Sequence, residues 1–517
     1  MPASVGSFVD SAAAKYGDKP AWQFIADGAA ISYAELAACT QALARGFSDL
    51  GVSQGDRVAV MLPNIPGFPL SWLALARIGA AMVPVNTTYM PREVAYVVRD
   101  SGASVFVTTT RLYEKLREQP ETAAILQDLQ VVLIGDAVEG THAWARLLER
   151  AGENEAPRAV ACDDLLNIQY TSGTTGFPKG CMLTHRYWLT LSIVTAERLR
   201  HQQCNVLAAQ PFYYMDPQWL LLMTMRIGGT LFVAEKASSS RFMDWVRRYD
   251  IGFCIFPEIV MKQPERQDDA DNPLKAAVVF GLSPGMHSAL EKRFALKARE
   301  GYGMTEVGSA LITPFDIDDM VGTGTCGVTS PFRETTIRDG NGEPVKQGEA
   351  GELWVRGPGI MLGYWNKPEA NAEVFRPGGW FRTGDLFRQD ERGFHYLVGR
   401  LKDMIRRSGE NIAAREIEAV LLEYPAIEQA AAIPVPDPVR GEEVKAVLVL
   451  RAGERFELDA FFAHCSARLA PFKVPRYVQV KQELPKTPSD RIAKHILLKE
   501  QADLRMGAYD RVEGVWR

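Results

Sequence analysis

Along its first 400 residues the chain alternates short apolar runs with stretches whose apolar positions recur at helical spacing. The run Arg-Val-Ala-Val-Met-Leu at 57–62 is continuous rather than alternating, which predicts a strand buried on both faces. A helix is predicted over 68–78 and the next strand over 81–85, and the same rhythm returns at 104–108 and 130–134. Strand, helix and strand in repetition predict a layered α/β fold of mixed sheets flanked by helices. The mostly polar stretch 152–157 reads as a surface connection. From about residue 401 the pattern changes. A helix is expected over 412–424, with Ile417, Val420 and Leu421 on one face. Strands over 427–436 and 443–450 and a helix over 458–469 complete a smaller α+β domain. The division expected is therefore 1–400 and 401–517. The polar tail 501–517 has no periodicity that assigns it.

Interrupting this order is Tyr-Thr-Ser-Gly-Thr-Thr-Gly-Phe-Pro-Lys-Gly at 170–180. Small residues let backbone N–H groups wrap an anion, hydroxyls add donors, and Lys179 adds a compact charge. That is the chemistry of a polyphosphate-holding loop. The spacing is not the Walker pattern, because Lys179 follows Pro178 and no Ser or Thr follows the lysine. A strand over 165–170 leads in, and 181–184 resumes apolar order. A flexible surface loop is the plainer reading, and the ordered flanks weigh against it.

The stretch resembles the phosphate loop of the adenylate-forming enzymes: acyl-CoA synthetases, adenylation domains of peptide synthetases and beetle luciferases. Further motifs of that family follow in order. They are Gly-Tyr-Gly-Met-Thr-Glu at 301–306, Gly-Glu-Leu at 351–353, Gly-Pro-Gly at 357–359 and Gly-Tyr-Trp-Asn at 363–366. Next come Trp-Phe-Arg-Thr-Gly-Asp-Leu at 380–386, Gly-Arg-Leu-Lys-Asp at 399–403 and Ser-Gly-Glu-Asn-Ile at 408–412. The resemblance spans nearly the whole chain, and its texture is nearest to crotonobetaine/carnitine-CoA ligase-like members.

The resemblance implies a large N-terminal AMP-binding domain, a small mobile C-terminal one and an active site between them, with Lys402 at the hinge. It implies an ATP- and Mg²⁺-dependent ligase that joins a small carboxylic acid to coenzyme A through an acyl-adenylate. Thr171, Ser172, Gly173, Thr174, Thr175 and Lys179 would cradle the β- and γ-phosphates. A tight turn through Gly301, Tyr302 and Gly303 would stack Tyr302 on the purine. Thr305 would donate to the α-phosphate, and Glu306 would ligate Mg²⁺. A hydroxyl beside a carboxylate suits a hard cation on chemical grounds too. Asp385 would accept both ribose hydroxyls, with Arg400 reaching ribose or phosphate, and Ser408 and Gly409 would line the pantetheine path. Tyr214, Glu258 and Gly281 would border the acid. A carboxylate at Glu258 would favour a cationic acid if it lines the pocket, whereas a solvated Glu258 is at least as reasonable.

Two departures stand out. The family's adenylation lysine lies within Pro-Lys-Thr-x-Ser-Gly-Lys-Ile, but residues 485–492 read Pro-Lys-Thr-Pro-Ser-Asp-Arg-Ile. Arg491, or Lys494 one helical turn on, would have to serve. A guanidinium spreads its charge over a planar fork, while an ammonium is compact; Lys494 is the favoured choice. Tyr214 also stands where the family often has His, and Tyr cannot carry the positive charge His can.

Composition adds bounds. Of 517 residues, 47% are hydrophobic and the net charge is -5, which offers no electrostatic case for nucleic acid or an anionic membrane as partner. Seven scattered cysteines (39, 162, 181, 204, 254, 326 and 465) form no metal-ligand spacing and read as reduced thiols of a cytoplasmic protein. No apolar run approaches about 18 residues. The reading also allows a homodimer. A GxGxxG at Gly322, Gly324 and Gly327 lacks the strand and helix that a dinucleotide site needs, and reads as a loop. Other functions remain open: an enzyme loading a carrier protein, a luciferase-like oxygenase, or a nucleotide-binding protein without ligase activity, motivated by Arg491.

Overall fold

A computed structural model describes residues 2–149, 159–171, 178–408, 410–487 and 491–517. The chain divides into two compact units, one built from residues up to 171, 177–335 and 355–381, the other chiefly from 336–354 and 382–517. The boundary read from the sequence near Leu401 falls inside the second unit.

In the first unit, one sheet runs in the order His142–Ala143, Gln130–Ile134, Val105–Thr109, Arg57–Met61, Ala81–Pro84, Leu165–Thr171 and Lys179–Thr184. All its pairings are parallel except the last, which is antiparallel. Buried β-branched residues such as Val58, Val60, Val83, Val105 and Val107 supply the two-sided burial that parallel strands require. The helix Gly67–Ile78 is buried at every position but Arg77, which explains an apolar run without a polar face. Gly79 ends it in the left-handed conformation, φ 71°, that glycine adopts without strain.

The second sheet of this unit carries, side by side, Thr325–Thr329, Gly308–Ile312, Lys297–Met304, Ala276–Val279, Ile251–Ile255, Asn205–Ala208, Leu231–Val233, Pro20–Phe24 and Ala30–Ser32. The strands from Lys297–Met304 to Pro20–Phe24 pair in parallel. Their apolar cluster includes Phe242, Phe256, Leu290 and Phe294. Ligand sites of parallel sheets gather where strands end at their carboxyl ends, and here those ends lead to Tyr214, Phe256, Gly281 and Gly301.

One expectation is corrected. Gly301, Tyr302 and Gly303 are not a turn: they lie in the strand Lys297–Met304, antiparallel to Gly308–Ile312, with a register shift between Tyr302 and Gly303. The turn falls at 305–307. The glycine at 303 serves close approach, since a Cβ there would lie 2.5 Å from the Gly308 carbonyl oxygen. The GxGxxG is not a dinucleotide site. Gly322 and Gly324 precede the strand Thr325–Thr329, which contains Gly327 and leads to another strand.

In the second unit the helix Ala414–Leu422 begins later than expected, because Ile412 belongs to the strand Glu410–Ala413. Strands Ile427–Asp437 and Gly441–Leu450 form a long antiparallel pair over a core of Ile405, Ile417, Leu421 and Phe461. The tail proves ordered. Tyr509–Asp510 pairs with Tyr477–Lys481 and with Val515–Trp516. Asp510, fully buried, holds it through Arg476 at 3.1 Å and Arg517 at 3.0 Å. Two-residue strands held by ion pairs leave no hydrophobic period to read.

Candidate active site

The antiparallel hairpin Leu165–Thr171 and Lys179–Thr184 brings Thr171 opposite Lys179 and Tyr170 opposite Gly180. It presents the two ends of the Gly/Ser/Thr stretch side by side, with the Thr171 hydroxyl 3.4 Å from the Lys179 carbonyl oxygen. Ser172, Gly173, Thr174 and Thr175 lie outside the described residues. Lys179 Nζ sits 4.8 Å from the centroid of the Tyr364 ring, an attractive cation–π contact. The Tyr364 hydroxyl donates to Glu306 Oε1 at 2.7 Å. One side chain thus links the phosphate-loop lysine to the carboxylate read as a metal ligand.

The backbone fixes that arrangement. Residues 361–365 hydrogen-bond to Glu306 O, Met182 and Gly180 at 2.8–2.9 Å, and Tyr364 bridges to Cys181. Farther out, Lys367 and Tyr170 both donate to Asp100, each at 2.7 Å. Arg333 donates to the carbonyls of Val307, Pro358 and Gly359 at 2.8–3.2, 2.6 and 3.1 Å, pinning the turn that carries Glu306. Burial, and then the Glu306 charge, hold the Cys181 thiol well above its usual range, so it is no nucleophile at neutral pH.

Glu306 is 7% exposed, and Thr305 beside it is partly exposed. Among the described residues no three His, Cys, Asp or Glu side chains gather for a metal. One carboxylate and a hydroxyl fit a magnesium ion that takes its other ligands from phosphate and water. Tyr302 is partly exposed, Gly303 is exposed, and the Tyr302 hydroxyl lies 3.6 Å from Met304 Sδ.

Sequence reading missed a set of buried amides. Asn64 accepts from Phe212 N at 2.8 Å and donates to Gln210 O and Ala234 O. Gln169 donates to Tyr213 O, and Gln218 to Phe212 O and Tyr214 O. These bonds fix the loop that ends at Tyr214, whose hydroxyl accepts from Asn86 at 3.3 Å, while the Gln169 Oε1 stays buried without a partner. Glu258 is exposed on a single-turn helix, Glu258–Lys262, as a solvated carboxylate. Gly281 is also exposed, with φ 72°. Its N–H and that of Leu282 donate to Glu300 at 3.2 and 2.8 Å.

In the second unit, pairing of residues 382–389 with His395–Arg400 puts Asp385 opposite Arg400. Arg400 Nε lies 2.9 Å from Asp385 Oδ1, with side chains 43% and 5% exposed. Two motif residues distant in sequence therefore meet. Glu352 positions them, accepting from Arg382 at 2.8 Å and from Gly384 N at 3.1 Å. Lys402 is exposed on the single-turn segment Leu401–Asp403. Ser408 takes φ 52°, a left-handed conformation that costs a non-glycine residue roughly 1–2 kcal/mol. Gly409 lies outside the described residues.

The two candidate cations differ sharply. Lys494 Nζ is 2.7 Å from Glu418 Oε1 and 3.5 Å from Asp403 Oδ2. Arg491 is exposed, and its backbone exchanges hydrogen bonds with Thr487. Among the described residues its guanidinium has no ion-pair partner.

Residues 9–365 match the family described as AMP-binding enzyme, and residues 416–491 the AMP-binding enzyme C-terminal domain. The chain belongs to the AMP-binding enzyme family. It is 34% identical over 505 residues to the crotonobetaine/carnitine–CoA ligase of Salmonella choleraesuis (strain SC-B67), covering 94% of this chain and 97% of that one. The same ligase of Salmonella paratyphi B is 33% identical over equal shares. Among solved structures, ATP-bound MatB from Rhodopseudomonas palustris is 26% identical, with a TM-score of 0.86 over 96% of this chain and 99% of that one. The o-succinylbenzoate CoA synthetase of Bacillus subtilis, in complex with its acyl-adenylate, shares the fold at TM-score 0.83 and 24% identity, over 96% and 98% of the chains. This AMP-binding enzyme is an ATP-dependent acyl-CoA synthetase that works through an acyl-adenylate. Loading of a carrier protein, or binding without ligation, is not favoured. No helix among the described residues is long and apolar enough to cross a membrane.

Proposed function

We propose that the enzyme activates a small free carboxylic acid in two steps within an N-terminal AMP-binding domain (1–400) and a C-terminal domain (401–517). A carboxylate oxygen attacks the α-phosphorus of ATP, forming the acyl-adenylate and releasing pyrophosphate. The coenzyme A thiolate then attacks the acyl carbon and AMP leaves, retaining one oxygen of the acid. The observation that carries this reading is the Lys179–Tyr364–Glu306 linkage.

Positioning and charge neutralisation supply the catalysis. Lys179, with 171–175, holds the departing phosphates. Glu306 would hold Mg²⁺, which offsets phosphate charge when bound. Thr305 donates to the α-phosphate and Tyr302 stacks on the purine beside Gly303. Asp385 accepts from the ribose, oriented by Arg400. Arg491 supplies the adenylation charge, because Lys494 is already engaged by Glu418 and Asp403. Ser408 and Gly409 border the thiol path. Lys402, exposed on its short segment, is the hinge between half-reactions. Tyr214 and Gly281 border the acid, and Glu258 stays in solvent at its rim. We place the enzyme in the cytoplasm, where ATP and coenzyme A are at hand. Sedimentation velocity reads whether a homodimer forms.

The test is mass spectrometry of products from ATP, Mg²⁺, coenzyme A and a panel of short, branched, aromatic, dicarboxylic and betaine-type acids. An acyl-CoA with equimolar AMP supports the proposal. Acyl-adenylate without thioester contradicts the choice of acceptor.

A further inference from the structure

Arg198 is the last residue of the helix His185–Arg198. Its Nε is buried without a hydrogen-bond partner, and no ion pair reaches the side chain among the described residues. Desolvation pulls its pKa down to about 10, with no neighbouring charge opposing the fall; the group remains cationic at neutral pH. The residue is nonetheless partly accessible. Arg198 thus combines a desolvated guanidinium with some residual solvent access of the residue as a whole.

Its position says which part of the fold it faces. A Cβ on Gly301 would lie 2.6 Å from Arg198 Nη2, so glycine at 301 is what admits the guanidinium. Gly301 lies at the carboxyl end of the parallel part of its strand, immediately before Tyr302. The carboxylate of the preceding residue, Glu300, accepts from the N–H groups of Gly281 and Leu282. Arg226 on the adjoining helix Met215–Ile227 is already committed to Ser192 at 2.9–3.1 Å. A cation in a helix's last turn gains a few tenths of a kcal/mol from the helix dipole, but that needs no burial. An unpaired buried cation is costly, and the expense is relieved when an anion arrives.

We infer that Arg198 is a specificity residue of the acid site, that its guanidinium receives a second carboxylate on the substrate, and that the acid is a dicarboxylate. Arg is the side chain whose fork fits a carboxylate with two parallel hydrogen bonds. The inference rests on the ligase reading proposed above.

The test compares kcat/KM of the intact enzyme for length-matched acids: glutarate against pentanoate, adipate against hexanoate, and γ-butyrobetaine. Wild type should favour the dicarboxylate of each pair. Arg198→Met should lower dicarboxylate kcat/KM by at least tenfold, on the order of a hundredfold for a charged double hydrogen bond. The monocarboxylate value and the KM for ATP should hold, and Arg198→Lys should recover part of the loss. Wild-type preference for monocarboxylates or the betaine overturns the inference without needing any variant. Equal loss for both members of a pair in Arg198→Met, at unchanged melting temperature, overturns it too. If no acid in the broad panel gives adenylate or thioester, the ligase reading itself fails, and the inference with it.

Discussion

Replacing Lys494 with Met should cost stability and spare chemistry, whereas replacing Arg491 with Ala should do the reverse. Lys494 and Glu418 are 16% and 17% exposed and 2.7 Å apart. Removing one partner of a fully buried pair costs about 3–5 kcal/mol, because the other charge stays behind. Glu418 keeps its hydrogen bond from Ala432 N at 2.8 Å, and burial already raises its pKa despite Lys494. Protonation therefore offers it an escape. Partial exposure and that escape reduce the expected loss to roughly 2 kcal/mol. For a unit of about 150–250 residues this lowers the melting temperature by about 4–8 °C. Acid-dependent exchange of labelled pyrophosphate into ATP isolates adenylation. Lys494→Met should retain it within about threefold, and Arg491→Ala should reduce it by on the order of a hundredfold at unchanged melting temperature, the scale of a lost transition-state charge contact. The opposite pattern, adenylation lost in Lys494→Met without loss of stability, would refute the assignment of Arg491.

Three further outcomes are expected. Asp385→Asn removes the charge that pairs with Arg400 and that we propose accepts from ribose; the KM for ATP should rise by about ten- to a hundredfold, measured in the exchange assay. Tyr364→Phe deletes the hydroxyl on Glu306 but keeps the ring beside Lys179, so the Mg²⁺ concentration for half-maximal rate should rise several-fold, while the KM for ATP at saturating Mg²⁺ holds. At Asp510, burial alone would raise the pKa, but Arg476 and Arg517 outweigh it and bring it from 3.8 to about 2. Its folded-state pKa is thus depressed, so its stabilisation is full above about pH 4 and is lost as pH falls toward 2. The urea midpoint should fall over that window in wild type, and less steeply in Asp510→Asn.

Much of the scaffold was legible because buried parallel strands leave continuous apolar runs, as at Arg57–Met61 and Gln130–Ile134. The resemblance singled out Asp385 and Arg400, and the strand pairing shows that they touch. Gly301 and Gly303 misled, since glycine marks close backbone approach as well as turns. The amides of Asn64, Gln169 and Gln218 were invisible because a polar residue in an apolar stretch looks like a surface position until its distant partner is known. The pairing of Lys494 with Glu418, more than seventy residues earlier in the chain, is likewise invisible until the fold brings them together. Arg198 and Tyr364 escaped for the same reason: their meaning lies in Gly301 and Glu306, which sequence does not place beside them.

The most direct test of the adenylate route uses an accepted acid labelled with ¹⁸O in its carboxylate. One label is expected in AMP and none in pyrophosphate, because the acid oxygen attacks the α-phosphorus and stays with AMP when the thiol displaces it. Unlabelled AMP alongside thioester, or label in orthophosphate, would contradict an acyl-adenylate.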